Sequence, residues 1–281
     1  MDRPIEASKR PTVQIRPGSG WQILNLREIV QYWDLLLTLA ERDLKLRYRQ
    51  TALGAFWVIA QPLMAAGILA FVFGKLAKMP TDGVPHVVFA LTGMVAWNAF
   101  VTTLARAGSS LLGNTALVSK VYFPRVILPL SCVFSTLVDF LVSMVLLLVI
   151  MAAFRLVPGP GVLLLPLWLL LIVTLGLGIG LMQSAMVVKY RDVINVVGVM
   201  ITFLMYASPV AYAVSAVPPH LQLVYHINPM VALLEGFRWS LLGRGAVSWG
   251  FAAYSVVATV TVFLLGARVF KKMERQFADI I

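Results

Sequence analysis

Charge is scarce in this sequence: Asp, Glu, Lys and Arg make up 12% of its 281 residues, against about 25% in soluble domains. A chain so poor in charge cannot solvate its whole surface, and with 60% hydrophobic residues and a mean hydropathy of +0.87 its solvent is the bilayer. Cysteine is nearly absent. Cys132 is the single one, which excludes an intramolecular disulfide and a cysteine-based metal cluster. Histidine is limited to His86, His220 and His226, and the spacing of the last two fits no common helical zinc site. No GxxxxGK[ST] segment occurs, so nucleotide phosphates are not cradled here by that device. No Ser, His and carboxylate set falls at one membrane depth, which leaves non-covalent chemistry and an energy source on another chain or in an ion gradient. No cofactor is expected in this chain itself.

Nearly uncharged runs mark six spans: Leu53 to Gly74, His86 to Ala105, Ile127 to Phe154, Val162 to Val188, Val193 to Val214 and Ser248 to Ala267. Sorting the cations by connection puts eighteen of the 23 Lys and Arg residues on one side, in the N-terminal segment, residues 106–125, Lys189 with Arg191, and the C-terminal segment. Lys75, Lys78, Arg155, Arg238 and Arg244 fall on the other. The positive-inside rule then makes both termini cytoplasmic. It also accounts for the net charge of +11, since the basic residues meet anionic headgroups; no basic and aromatic repeat suggests a nucleic-acid partner.

The longest charge-free run, Val193 to Leu234, is about twice what one span needs. Ser208-Pro209, Pro218-Pro219 and Asn228-Pro229 interrupt it, and an interior proline costs a helix about 3 kcal/mol. The surplus is therefore a second, kinked apolar element, which protein or water must shield because unsatisfied amides are not tolerated in hydrocarbon. This is how a gate or pore lining is built.

Residues 1–20 are polar, carry three prolines, and read as a disordered tail without a cleavable signal. Leu26, Ile29, Val30, Trp33, Leu36, Leu37 and Ala40 then recur at helical spacing, predicting an amphipathic helix that lies in the membrane interface or packs on other cytoplasmic structure. It leads into Arg47, Tyr48 and Arg49, where the cations anchor the first span or hold phosphate bidentately. Asp139 is an expensive residue in the third span. With Ser131, Ser135 and Ser143 it forms one helical face, suited to helix packing or to an aqueous path. Gly176, Gly180 and Ser184 predict close helix approach in the fourth span, and Pro62 a bend in the first. The aromatics Trp57, Trp97, Phe100, Phe203, Tyr206 and Tyr212 suit interfacial belts or the apolar faces of sugar rings. Arg238, three residues after Glu235, reads as a helix-surface ion pair or as a contact to sugar or lipid phosphate.

Several of these pieces, in order, carry a resemblance: Lys45-Leu46-Arg47-Tyr48 with Leu53-Gly54, Trp57 and Pro62; Lys120 with Pro124-Arg125; Tyr190-Arg191-Asp192; Ser208-Pro209-Val210 with Tyr212; Pro218-Pro219; Tyr225 with Asn228-Pro229; and Phe270-Lys271-Lys272-Met273-Glu274. From about Leu24 onward the sequence resembles the membrane subunits of polysaccharide-exporting ABC transporters, which move lipid-linked O-antigen, capsule or teichoic acid chains across the bacterial inner membrane.

The resemblance implies an all-α, multi-pass inner-membrane permease that acts as a homodimer with two ATP-binding cassette subunits, ATP and magnesium being held by those partners. Residues 21–52 would form the interfacial helix and basic linker, 53–270 the six-span domain, and 271–281 a cytoplasmic tail. Within the domain, 106–126 would be the coupling segment, with Lys120, Tyr122, Pro124 and Arg125 receiving the ATPase stroke. Residues 215–247 would form short re-entrant gate helices on the far side, carrying Pro218, Pro219, Tyr225, Asn228, Pro229 and Arg238. The lipid headgroup would enter near Arg47, Tyr48 and Arg49, and the glycan would pass the aromatics Trp57, Trp97, Phe100, Phe203, Tyr206 and Tyr212. The alternatives left open are a related permease for a lipid, drug or other small molecule, and an integral-membrane enzyme of lipid-linked sugars.

Overall fold

The structure, a computed structural model, describes residues 26–49, 54–245 and 247–274, and all regular structure among them is helical. Helix α1 (Leu26–Gln31) breaks at Tyr32 and resumes as α2 (Trp33–Arg49). Helix α3 (Gly54–Leu69) runs through Pro62 and widens into a π-helical turn (Ala70–Leu76). Then follow α4 (His86–Gly113), the short α5 (Thr115–Lys120), α6 (Ile127–Ala153), and α7 (Leu165–Lys189) behind a 3-10 turn. The chain closes with α8 (Val193–Tyr206), α9 (Pro219–Tyr225), α10 (Pro229–Leu242) and α11 (Trp249–Glu274).

Among the described residues five helices are long and apolar enough to cross a membrane: Ile59–Leu76, His86–Gly113, Ile127–Ala153, Pro160–Lys189 and Trp249–Glu274. The expected fifth span, 193–214, is shorter than predicted. Its helix stops at Tyr206 after 14 residues, about 21 Å of rise against a hydrocarbon core of about 30 Å. The cause is local. Pro209 has no N–H to donate and disfavours helical backbone at Ser208, so residues 207–213 form an irregular turn that, like the helix before it, carries no charge.

Helix α4 is the axis of the bundle, packed against α3, α6, α7 and α10. Close approach is made by glycine, as the small-residue spacing predicts. A Cβ on Gly176 would meet the Phe100 carbonyl oxygen at 2.7 Å, and one on Gly180 the Ala107 Cβ at 2.8 Å. Helix α11 joins the other side of α7, where a Cβ on Gly266 would lie 2.1 Å from the Gly178 carbonyl oxygen. Two apolar cores result. One joins α3, α4, α7 and α10 at the end that carries the α9–α10 hairpin. The second, at the opposite, basic end, gathers Leu36 and Leu39 of α2, Val118 of α5, Phe123, Ile127 and Leu128, and Phe270 of α11.

Helix α2 therefore packs on α6 through Leu36 and Leu39, while Val30, Trp33 and Leu37 keep an exposed apolar row. Asp139 and its serine neighbours are buried, and the carboxylate is paired with the Arg106 guanidinium of α4. Charge sorting places Arg106 in a connection; α4 instead continues eight residues past the predicted end of the second span and carries it inside the bundle.

Candidate functional site

The hairpin end holds the chemistry. Residues 207–213 leave helical hydrogen bonding, and each exposed carbonyl of a buried turn needs a donor. Arg238 supplies two. Its Nη2 donates to the Pro209 carbonyl at 2.6 Å and the Val210 carbonyl at 3.2 Å, and its guanidinium carbon lies 3.8 Å from the centre of the Phe89 ring. Burial lowers the guanidinium pKa to about 10, opposed by Glu235 and Asp82, so the group remains a cation at neutral pH. Gly93 makes the approach feasible, because a Cβ there would stand 2.0 Å from the Val210 oxygen.

Asn228 serves both sides of the turn. Its Oδ1 accepts from the Met230 N–H and caps α10, while its Nδ2 donates to the Ala207 carbonyl at 3.2 Å and to Ser208 Oγ at 2.9 Å. Pro229 follows at the first helical position, where its missing N–H costs nothing; Pro219 does the same for α9, with Pro218 before it. The Tyr212 hydroxyl donates to the Tyr206 carbonyl and lies 2.7 Å from the Tyr225 hydroxyl. Burial and that neighbouring hydroxyl push the Tyr225 phenol well above its usual range. The Ala213 N–H reaches the Pro80 carbonyl.

The expected pair between Glu235 and Arg238 is not formed. Arg238 is spent on carbonyls, and Glu235 instead faces His226 Nε2 at 3.7 Å. His226 stacks on Phe251 at 3.9 Å, with its Nδ1 2.8 Å from the Gln222 carbonyl. Burial raises the Glu235 carboxyl above its ordinary value, with His226 and Arg238 acting against that. The His226, Phe251 and Tyr254 side chains line a cavity of about 420 Å³ beside Leu223 and Ile227.

The aromatics separate. Phe203 and Tyr206 of α8 are 72% and 61% exposed, and no residue of α8 is buried. Trp97 and Phe100 are enclosed within the subunit, 3% and 0% exposed, where α4 meets α7; neither reaches the surface. Tyr212 is turned inward to Phe73 and Tyr225. The side chains of Arg47, Tyr48, Arg49 and Trp57 lie outside the described residues.

At the basic end, Phe123 is buried in the second core while Tyr122 beside it is 76% exposed. Lys120 closes α5, and Pro124 accepts from the Ile127 N–H to start α6. Two contacts hold this segment. Arg42 of α2 donates to Asn114 Oδ1 at 2.7 Å, and the Arg125 N–H donates to Glu274 Oε1 at 3.2 Å, with the Arg125 guanidinium on the Glu274 carbonyl. Gly93 and Asn114 escape sequence reasoning, and Ser208 and Glu274, though part of the motifs quoted above, carry no sign of their partners. Gly93, a glycine inside a span, has a visible signal. Among the described residues no group of three or more His, Cys, Asp or Glu side chains could hold a metal.

Comparison with known proteins adds the following. The model of the family "ABC-2 type transporter" matches residues 34–242. An O-antigen export system permease protein RfbA from Myxococcus xanthus is 29% identical over 260 residues, 91% of this chain and 98% of the relative. A protein of the same name from Klebsiella pneumoniae is 26% identical over 254 residues, 89% of this chain and 95% of the relative. The polysialic acid transport protein KpsM of Escherichia coli is 22% identical over 239 residues, 83% and 91% of the two chains.

Proposed function

The chain belongs to the ABC-2 type transporter family, and on that premise we propose that it is the channel-forming membrane subunit of an exporter that moves a lipid-linked polysaccharide of O-antigen or capsule type across the bacterial inner membrane. One observation carries the substrate class: the likeness to O-antigen export permeases runs over about nine-tenths of both chains. A permease of this kind transports and does not catalyse. ATP hydrolysis, with its magnesium, belongs to ATP-binding subunits on the cytoplasmic face.

In this reading the basic end is cytoplasmic, as are both termini. Val121 and Tyr122, exposed beside the buried Val118 and Phe123, form the surface on which an ATP-binding subunit docks, flanked by Lys120, Pro124 and Arg125. The headgroup enters near Arg47, Tyr48 and Arg49, whose guanidiniums match phosphate oxygens. Two copies of the chain enclose the path. The exposed, uncharged and mostly apolar helix α8 and the exposed row of α3 are the faces such a pairing would cover, and Phe203, Tyr206 and Trp57 offer rings on which sugars slide without tight binding.

The α9–α10 hairpin closes the far side. Its α10 arm is buried against the bundle through Met230, Val231, Leu233 and Leu234, while the α9 arm exposes Leu221, Leu223 and Val224, and Arg238, Asn228 and Tyr212 satisfy the irregular turn. Such a turn has discrete arrangements rather than continuous ones, because releasing it requires several polar groups to change partners together. The test is ATP turnover by the chain purified with its ATP-binding subunit. A lipid-linked glycan should stimulate turnover, and Phe203→Ala with Tyr206→Ala should blunt that stimulation; stimulation by short-chain lipids or drugs alone would favour a different cargo.

A further inference from the structure

Helix α11 touches both working ends of the molecule. At the basic end its residue Glu274 accepts from the Arg125 N–H, and the Glu274 main-chain carbonyl accepts from the Arg125 guanidinium. Lys271, one turn back, holds the same carboxylate at 2.9 Å. At the hairpin end the Tyr254 hydroxyl donates to the Ile227 carbonyl at 2.9 Å, Ser255 Oγ donates to the Pro229 carbonyl at 3.0 Å, and Phe251 stacks on His226. Trp249 meets Trp239 edge to face. The contacts of Tyr254, Ser255 and Phe251 fall on the junction between α9 and α10, the part of the hairpin that has to move if it opens.

Along its length α11 keeps one face buried, through Ala252, Ser255, Thr259 and Ala267, and its backbone meets that of α7 where a Cβ added to Gly266 would be driven into Gly178 and one added to Gly178 into Phe263. Its opposite face is open, with Val256, Val257, Val260, Leu264 and Leu265 exposed. Helix α4 also runs between the two ends, but it is enclosed by α3, α6, α7 and α10; α11 is packed on one face, against α7 and α10, and open on the other.

We propose that α11 is a lever pivoting on Gly178 and Gly266, with Glu274 as the positioning residue that takes up movement of the coupling segment and Tyr254 with Ser255 as the positioning residues that pass it to the α9–α10 hairpin. From Gly266 the basic arm is eight residues, about 12 Å, and the hairpin arm to Tyr254 twelve residues, about 18 Å. A displacement at Arg125 therefore reaches the hairpin in the opposite sense and about half as large again. The coupling element is one rigid helix biased from both ends, which is a physical two-state connection rather than a chain of neighbours. The inference rests on the docking surface proposed above.

The experiment uses the full chain in complex with its ATP-binding subunit in lipid nanodiscs, following amide hydrogen exchange of residues 219–229 with and without a non-hydrolysable ATP analogue, and export per ATP in vesicles. In the unaltered complex, nucleotide changes exchange in the hairpin. Glu274→Ala should retain the ATP-binding subunit, lose the nucleotide-dependent change, and lower export per ATP by about fivefold or more. Glu274→Gln, which keeps an acceptor for the Arg125 N–H, should restore both. Tyr254→Phe with Ser255→Ala should behave like Glu274→Ala, although it lies at the other end. An unaltered complex without a nucleotide response in the hairpin, or one whose response persists in Glu274→Ala and in the Tyr254→Phe, Ser255→Ala variant, overturns the lever. Should Glu274→Ala shed the ATP-binding subunit, the far-end variant decides alone. Tyr122→Ala separates the two readings: if it leaves the subunit bound as tightly as before, the docking surface is wrong, while the lever is still judged by the hairpin response.

Discussion

Gly93, two turns into α4, faces the Val210 carbonyl so closely that a single methyl group in its place would stand 2.0 Å from the oxygen. The contact joins the axis of the bundle to the irregular turn that ends α8. It also sets Arg238 beside both, since its Nη2 would lie 3.0 Å from that methyl.

Gly93→Ala should therefore displace the turn rather than α4, because the turn is irregular backbone while α4 is held by its own helical hydrogen bonds and by four packed helices. Overpacking of this kind costs about 1–3 kcal/mol. The thermal midpoint of the purified chain should fall by several degrees, with helix content by circular dichroism unchanged; an unchanged midpoint would mean that the turn has room.

Arg238→Gln removes a buried cation and leaves the Pro209 and Val210 carbonyls short of donors. Truncating one partner of a buried network costs about 3 kcal/mol or more. The same thermal assay should show a larger drop than for Gly93→Ala. Arg238→Lys should recover only part of it, since an ammonium lacks the planar face that stacks on Phe89.

Asp139 and Arg106 pair across α6 and α4 inside the bundle. Asp139→Asn should destabilise the chain by about 3 kcal/mol, mostly through the cation left behind. The double variant Arg106→Met with Asp139→Leu should recover most of the loss. If the double variant is as unstable as the single one, the pair's cost is not that of an orphaned charge.

Burial holds the Glu235 carboxyl above its ordinary value of 4.5. For an acid raised on folding, the penalty of ionisation is absent below the unfolded value and complete above the folded one. Stability conferred by the protonated form is thus lost as pH rises. Glu235→Gln should match the unaltered chain near the unfolded value and become progressively more stable than it toward neutrality; thermal midpoints across that range check the sign, and parallel curves would deny it.

Much of this architecture was legible from residue order. Scarce charge and long apolar runs located the bundle, Gly176 and Gly180 marked a face of close helix approach without naming its partner, and Asn228-Pro229 announced the start of α10. The misses share a physical cause. Composition cannot separate a membrane span from an apolar turn buried in protein, so Val210 to Val214 read as helix. Charge sorting treats a cation as belonging to a connection, so Arg106 was placed outside the bundle that pairs it with Asp139. Spacing alone joined Arg238 to Glu235, although burial makes two bare carbonyls the more demanding partners. Arg125 and Glu274 lie 149 residues apart, and no local pattern foretells their contact.

The central claim is that this chain moves a lipid-linked polysaccharide at the expense of ATP. It is tested most directly by reconstituting the chain with its ATP-binding subunit in vesicles, loading one leaflet with lipid-linked glycan, and following the glycan's accessibility to a lectin on the opposite side. The account predicts lectin access that requires ATP, disappears when the ATP-binding subunit cannot hydrolyse it, and is reduced by Phe203→Ala with Tyr206→Ala. ATP turnover that carries a lipid or a small molecule across while the glycan stays in place would contradict it.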